Sequence, residues 1–430
     1  MDQAQIDQGP LFIESREEYD DLAREWIRSR DVCALDFEGW DIVRLVQLCD
    51  DDEWMVIDFG QAGENWFAEV AADFELDQAW VAFHSKHEKK CFKNHGGVEP
   101  TVWDVANLRR AIEGGGHMNL KQLVKLELGI ELDKEEQGSD WDNGELSDSQ
   151  LDYAADDALY TWQCWSLIRA RADDDHMRCF DMLDSMTDAV LEMEANGLAL
   201  DKGYHRTLIK QWSDLSTERE ELIRGLVTPE EVENLNSGKQ ITAFMLPLLA
   251  DDALDAWPMT PKTGLLSTKN KDLLNMSGLF GDNPLGQFCR LLAERSTLEK
   301  YLSSFGETLI FWNDKEDLNE NVIRGRVNAL YNIAAAITCR FSCSKPNLQQ
   351  IPRDRDFFGE RLSVRRGFIA ADGRLVVSFD YSGIEMVMMA LISGDETLLH
   401  DVIYGDPHAV MAEYVAGRKI DKTVTEDYDL

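Results

Sequence analysis

The chain is 430 residues long and 44% hydrophobic, and its 43 basic and 81 acidic side chains leave a formal net charge of −38. That length buries two or three cores, so more than one domain is expected, and an acidic excess this large opposes nonspecific binding to phosphates. No apolar run approaches the length of a membrane span, and "MDQAQIDQGPLFIES" carries no basic-then-apolar export signal, so the sequence predicts a soluble cytoplasmic chain with no membrane partner. In chain order, "VCALDFE", "DIVRLVQLC" and "EWMVIDF" read as strands laid down in sequence. "WDVANLRRAI" and "NLKQLVKLELG" read as helices, the second closed by Gly129 as a C-cap. The acidic loop "ELDKEEQGSDWDNGELSD" follows, then the helical pattern of "QLDYAADDALYTWQCW". From "RADDDHM" the pattern is almost wholly helical through "CRLLAERSTLEKYLSSFGETLIFW", and a strand-and-helix mixture returns near Tyr331.

Two groups of carboxylates stand out. The strand period of two puts Asp36 and Glu38 on one face of a sheet, and the helical i, i+4 spacing puts Tyr153 and Asp157 on one face of a helix. Glu88 lies in "AFHSKHEKKCF" among Lys86, Lys89 and Lys90. Each piece has an ordinary reading as an exposed pair, a helix surface or an ion-pair cluster. Brought together, such carboxylates make an oxygen-rich site for two Mg²⁺ or Mn²⁺ ions, able to activate water against a phosphodiester, with Tyr153 orienting that water.

The second group is in "VVSFDYSGIE", residues 376–385, where Asp380 ends an apolar run expected to be a buried strand. An unpartnered carboxylate there is costly, and a bound cation offsets the cost. Ser382 and Glu385 have the spacing of a capping box, with Ile384, Val387, Met388 and Leu391 as the buried stripe of the helix that follows. Upstream, "TCRFSCSKPNLQQIPRD" carries Arg340 and an Asn/Gln cluster suited to a nucleic-acid backbone or minor groove. From Arg340 to Arg374 eight basic residues face four acidic, a local charge of +4 within an acidic chain. The eight cysteines (Cys33, Cys49, Cys91, Cys164, Cys179, Cys289, Cys339, Cys343) form no CxxC pair, which argues against a zinc site or disulfide framework and for a reducing compartment.

"LDFE", the His/Lys-rich segment and "YAADD" together resemble the three motifs of DEDD-type 3′→5′ exonucleases, in the variant with Tyr before the last Asp. "VRLVQLCDDDEWMVID" and "LDKEEQGSDW" look like ribonuclease D and the proofreading domains of DNA polymerases. Glu88 stands where that family usually has Asp, and His84 where it has Asn. From Thr338 to Gly417 the chain resembles family A DNA polymerases of the bacterial DNA polymerase I type, and "VLEMEANGLALD", "NLNSGKQI", "PKTGLLST" and "LLAERSTLEKYLSSF" look like that family's thumb.

The resemblance implies an α/β-plus-α fold: a ribonuclease H-like exonuclease domain over 1–178, a helical thumb over 179–335, part of the palm over 336–394 and the start of the fingers over 395–430. It implies Asp36, Glu38, Glu88, Tyr153 and Asp157 as exonuclease residues. Asp380 is implied as the first palm aspartate, with the Tyr381 carbonyl as a further metal ligand. Glu385 is the implied steric gate against a ribose 2′-hydroxyl, beside Tyr381 and Ser382 at the nucleotide. Arg340, Asn347, Gln349, Gln350, Arg365, Arg366 and His408 are the implied DNA contacts. Gly383, Cys339 and Leu391 depart from the usual Gln, Gly and His. The implied partners are DNA primer-template, a single-stranded 3′ end and dNTPs, with two Mg²⁺ or Mn²⁺ ions per active site.

The chain closes on "IDKTVTEDYDL" with neither the fingers nucleotide-binding helix nor the second palm aspartate of that family. The expectation is the N-terminal subunit of a split DNA polymerase, completed by a second polypeptide. The lack of a 5′-nuclease domain ahead of the exonuclease is similar to phage replicative polymerases. Two alternatives stand beside it: a stand-alone ribonuclease D-like nuclease with a degenerate polymerase tail, and a truncated full-length polymerase.

Overall fold

A computed structural model of the chain describes residues 9–39, 42–60, 66–75, 78–132, 135–141, 144–314, 325–352, 356–357, 360–361, 363–371 and 373–419. The closing run at 420–430, and Arg353, Asp354, Arg355 and Asp372 of the basic window, lie outside the described residues. The chain divides into two compact units, Met1–Ile369 and Ala370–Leu430.

The first unit begins with a six-stranded mixed sheet: β1 Leu11–Ile13, β2 Val32–Glu38, β3 Leu45–Cys49, β4 Trp54–Asp58, β5 Ala79–Ala82 and β6 Thr101–Asp104, in the spatial order β1-β4-β3-β2-β5-β6. β2, β3 and β4 pair antiparallel in sequence, as consecutive strand runs joined by short turns do, while β5 and β6 add in parallel after helical crossovers. Alternation along β2 divides its side chains between two cores. Cys33, Leu35 and Phe37 enter an aromatic-rich cluster with Phe67, Phe74, Trp80 and Phe92. Ala34 enters another, beneath the long helix that follows.

Four of this region's helices position the site: α1 Lys86–Cys91, α2 Val105–Glu113, α3 Leu120–Leu128 and α4 Asp148–Arg171. Caps account for their ends. Asp104 accepts from the Ala106 N–H at the start of α2, Asn119 and Gln122 form a capping box on α3, and Gly129 closes α3 at φ 74°. α4 lays Ala154, Ala155, Ala158 and Leu159 against Ala34, Leu45, Cys49 and Val56. Three alanines in that face let the helix backbone come close to the sheet, and the Trp54 indole donates to the Ala155 carbonyl at 2.9 Å.

Beyond it run α5 Asp174–Asn196, α6 Lys202–Arg224, α7 Asn270–Phe280 and α8 Pro284–Phe305. Leu208 and Trp212 of α6 pack on Leu298 and Phe305 of α8, and Arg219–Glu294 at 2.7 Å and Arg295–Glu220 at 2.9 Å reinforce the same pair of helices. β7 Leu198–Leu200 pairs antiparallel with β8 Arg326–Val327 and with β13 Phe368–Ile369. β9 Leu330–Asn332 and β10 Ser342–Ser344 form a hairpin, and β11 Asp356–Phe357 pairs with β12 Glu360–Arg361.

The second unit holds a segment without regular secondary structure over 374–380 and the helices α9 Ile384–Ser393, α10 Glu396–Tyr404 and α11 Pro407–Ala416. Three expectations are corrected here. Residues 376–380 form no strand, because the described residues of this unit offer no strand to pair with, and Asp380 is exposed rather than buried. Ser382 does not cap α9: the N-cap is Gly383 at φ 59°, with no side-chain cap bond, since a left-handed residue at that point takes the serine out of the capping position. Ile384, Met388 and Leu391 are exposed rather than buried, and Ala390 is the buried residue of α9.

Candidate functional site

Asp36 and Glu38 leave β2 on the face that also carries Ala34, so they lie at the rim of the α4 contact. Close helix–sheet packing brings Asp157 of α4 to them: one carboxylate oxygen from each of Asp36, Glu38 and Asp157 lies within 4.8 Å of the others. All three are half-buried.

Glu88 comes from α1 and is only 2% exposed. Its Oε2 has no hydrogen-bond partner among the described residues. Burial first, and then the Asp36 carboxylate, hold its carboxyl well above the usual range, with Glu38 adding to the repulsion. The flanking lysines do not neutralise it. Lys86 and Lys90 both reach Glu194, the latter at 3.2 Å, and Lys89 reaches Asp188 at 2.8 Å. The ion-pair cluster expected around Glu88 therefore forms with other acids, and Glu88 is left facing carboxylates. Mutual repulsion of this kind is what a hard divalent cation relieves, and an all-oxygen donor set fits Mg²⁺ or Mn²⁺. Tyr153 lies one helical turn before Asp157, and burial followed by the charges of Asp157 and Glu38 raises its phenol, so it keeps its proton. His87 is pushed down to about 4 by burial, then by Lys90, and is neutral at pH 7.

The start of α1 is held by residues that sequence reasoning passed over. Asp104 Oδ1 accepts from the His84 N–H at 3.1 Å and Oδ2 from the Ser85 N–H at 3.2 Å, while His84 sits at φ 63° with Nε2 3.0 Å from the Met118 carbonyl. Asp184 of α5 in turn accepts the Asp104 N–H at 3.0 Å. The readable signal was Asp104 immediately before an apolar-periodic run, an N-cap position. The second acceptor role depends on a contact across 20 residues and is invisible in sequence.

The sequence-predicted DNA contacts lie partly on the β9–β10 hairpin and the chain that follows. Arg340, Gln349 and Gln350 are exposed. Asn347 is half-buried, and its side chain accepts from the Gln349 N–H at 3.1 Å, shaping the turn Leu348–Gln350. Arg365 donates to the carbonyls of Pro352 at 3.1 Å and Ile351 at 3.3 Å, which ties it to that turn. Arg366 is exposed. The hairpin docks on the exonuclease-like region through a glycine: a Cβ on Gly115 would stand 2.1 Å from the Ala336 oxygen and 2.8 Å from the Cys339 nitrogen. In the second unit Asp380, Tyr381, Ser382, Glu385 and His408 are all exposed, and the His408 N–H bonds to the Asp406 cap at 3.0 Å. The burial argument for a cation at Asp380 accordingly does not hold in this chain.

Comparison with known proteins adds the family. The family described as DNA polymerase family A matches residues 204–428, and a 3′-5′ exonuclease family matches 20–172. DNA polymerase I of Aquifex aeolicus is 26% identical over 407 residues, covering 91% of this chain and 65% of the relative. The thermostable DNA polymerase I of Thermus aquaticus is 34% identical over 227 residues, covering 52% of this chain and 25% of the relative. The chain thus spans less than two-thirds of the length of these relatives. Among solved structures, the POL domain of Pol1 from M. smegmatis, in complex with DNA primer-template and dNTP, superposes with a TM-score of 0.66 at 20% identity, covering 96% of this chain and 68% of that one. That likeness shows the fold. No helix among the described residues is long and apolar enough to cross a membrane. With over half of its residues matched by the family, the chain belongs to DNA polymerase family A, with a 3′-5′ exonuclease-type domain ahead of the polymerase region.

Proposed function

We propose that residues 1–178 act as a metal-dependent 3′→5′ exonuclease on single-stranded DNA ends, and that residues 179–335, 336–394 and 395–430 serve as thumb, partial palm and first fingers segment. The observation that carries this reading is the convergence of Asp36, Glu38 and Asp157 within 4.8 Å, to which the buried Glu88, outside that trio, is linked by the charge of Asp36 that helps to raise its carboxyl. Asp36, Glu38, Asp157 and Glu88 would hold two Mg²⁺ or Mn²⁺ ions, which would supply an activated water and neutralise charge at the leaving 3′ oxygen. Glu88 would have to give up its proton to hold a cation, since a raised carboxyl must ionise to become a ligand. Tyr153, which keeps its hydroxyl proton, orients the attacking water beside Asp157.

Template-directed synthesis is the proposed role of the family A region. Arg340, Asn347, Gln349, Gln350, Arg365, Arg366 and His408 contact primer-template; Asp380 and the Tyr381 carbonyl hold metal; Tyr381, Ser382 and Glu385 meet the dNTP. We further propose that polypeptide outside these 430 residues completes the palm, in the split arrangement as a second chain. In support, Leu375, Val376, Val377 and Phe379 are exposed beside Asp380, the last at 91%, and apolar runs of that kind mark surfaces that another polypeptide covers.

A 5′-labelled primer on a longer template, incubated with Mg²⁺ with and without four dNTPs, tests both parts. Shortening in both lanes, with extension appearing only when the remaining fingers and palm are supplied as a second chain, is the expected result. No shortening even of single-stranded primer refutes the exonuclease reading, and extension by this chain alone refutes the partner requirement.

A further inference from the structure

β3 runs antiparallel to β2 with Gln47 directly opposite Asp36, flanked by the pairs Leu45–Glu38 and Cys49–Ala34. Partners across an antiparallel ladder point to the same face, so Gln47 projects with Asp36 into the space beneath α4. Leu45, Cys49 and Ala34 fill that space with the alanines of α4. Gln47 is 0% exposed, and neither Nε2 nor Oε1 has a hydrogen-bond partner among the described residues.

A buried carboxamide without partners is costly, because the hydration it gives up is replaced by nothing. A leucine at this position in "LVQLC" would carry no such cost. The same face does supply partners where the fold needs them, as the Trp54 indole bonded to Ala155 shows. Buried polar atoms without a partner occur elsewhere among the described residues too, Trp212 Nε1 among them, but Gln47 leaves both a donor and an acceptor unmade and sits across from a carboxylate of the candidate metal centre. Glu88 Oε2, on another carboxylate of that centre, is orphaned in the same way.

We propose that Gln47 is a positioning residue of the loaded metal centre: its buried carboxamide, unpartnered in the metal-free chain, would take up the hydration of a divalent cation bound beside Asp36 and through it steady that carboxylate. The inference rests on the exonuclease reading above. An amide suits this role because it offers a donor and an acceptor without adding a fifth charge to four carboxylates. Outer-shell groups of this type orient the ligating side chain and tune the metal site.

The test uses the full chain and Mn²⁺. Gln47→Met removes the amide at similar volume; Gln47→Leu is the second variant, used if the first yields no folded protein. Mn²⁺ affinity is read from the electron paramagnetic resonance signal of free Mn²⁺, and metal-free stability from thermal unfolding. The proposal predicts Mn²⁺ binding weakened about 10–100-fold, with the metal-free melting temperature unchanged or raised. A variant that melts earlier without metal yet binds Mn²⁺ within twofold of the parent overturns it, because Gln47 then serves packing alone. If the parent chain itself binds Mn²⁺ no better than an Asp36→Asn control, the exonuclease reading fails and this inference falls with it. Saturable parental binding that the Gln47 variants leave intact refutes the inference alone.

Discussion

Replacing Asp184 by Asn should stabilise the protein at neutral pH. Asp184 is 8% exposed, and its Oδ1 accepts from the Asp104 N–H at 3.0 Å and the Asn107 side-chain amide at 3.3 Å. Burial, and after it the Asp104 carboxylate, raise its carboxyl to about 6 from an ordinary 3.8. Each unit is worth about 1.4 kcal/mol, so the ionised carboxylate costs the native state about 3 kcal/mol. The sign follows from proton binding. Between about pH 4 and pH 6 the native state holds a proton that the unfolded chain has released, so stability falls as pH rises through that window and the loss persists above it. An asparagine oxygen can accept both bonds without charge. Asp184→Asn is therefore expected to gain about 2–3 kcal/mol at pH 7.5 and to gain nothing at pH 4, measured by urea unfolding followed by tryptophan fluorescence. A loss of stability at pH 7.5, or a gain of the same size at both pH values, would refute the reasoning.

Other perturbations separate the site from its scaffold. Glu88→Gln removes a carboxyl that burial and Asp36 already penalise, so the metal-free chain should melt no earlier at pH 8 while the Mn²⁺-induced rise in melting temperature disappears. Ala158→Leu forces a larger side chain into the contact between α4 and the sheet and should cost about 1–3 kcal/mol in urea unfolding while weakening Mn²⁺ binding, because Asp157 moves with the helix. Gly115→Ala drives a Cβ into two backbone atoms that cannot step aside, so primer-template affinity in a gel-shift assay should fall while hydrolysis of single-stranded oligonucleotide is retained.

Much of the exonuclease-like region was legible because its signals are local. The strands β2, β3 and β4 follow from their short strand-like runs, α3 from its period and Gly129, and the shared face of Asp36 and Glu38 from the pleat. The approach of Asp157 to that pair was foreseen from motif order, but its cause, the alanine face of α4, is a packing fact. The partners of Lys86, Lys89 and Lys90 were not legible, because Glu194 and Asp188 lie about a hundred residues away. Gln47 carries no signal of its own in the sequence, and only the register with Asp36 gives it meaning. The "VVSFDYSGIE" stretch misled in the opposite direction. Its apolar run predicts a buried strand, yet a strand needs a neighbour, and Gly383 in the left-handed region displaces the expected serine cap.

The most direct test of the central claim is hydrolysis of a 5′-labelled single-stranded oligonucleotide by the purified chain in Mg²⁺, beside Asp36→Asn and Asp157→Asn. The account predicts a ladder shortened one nucleotide at a time from the 3′ end, silenced by chelation and reduced more than about 100-fold, beyond the usual outer-shell loss, in each variant. An intact oligonucleotide in both Mg²⁺ and Mn²⁺, or shortening that survives Asp157→Asn, would contradict it.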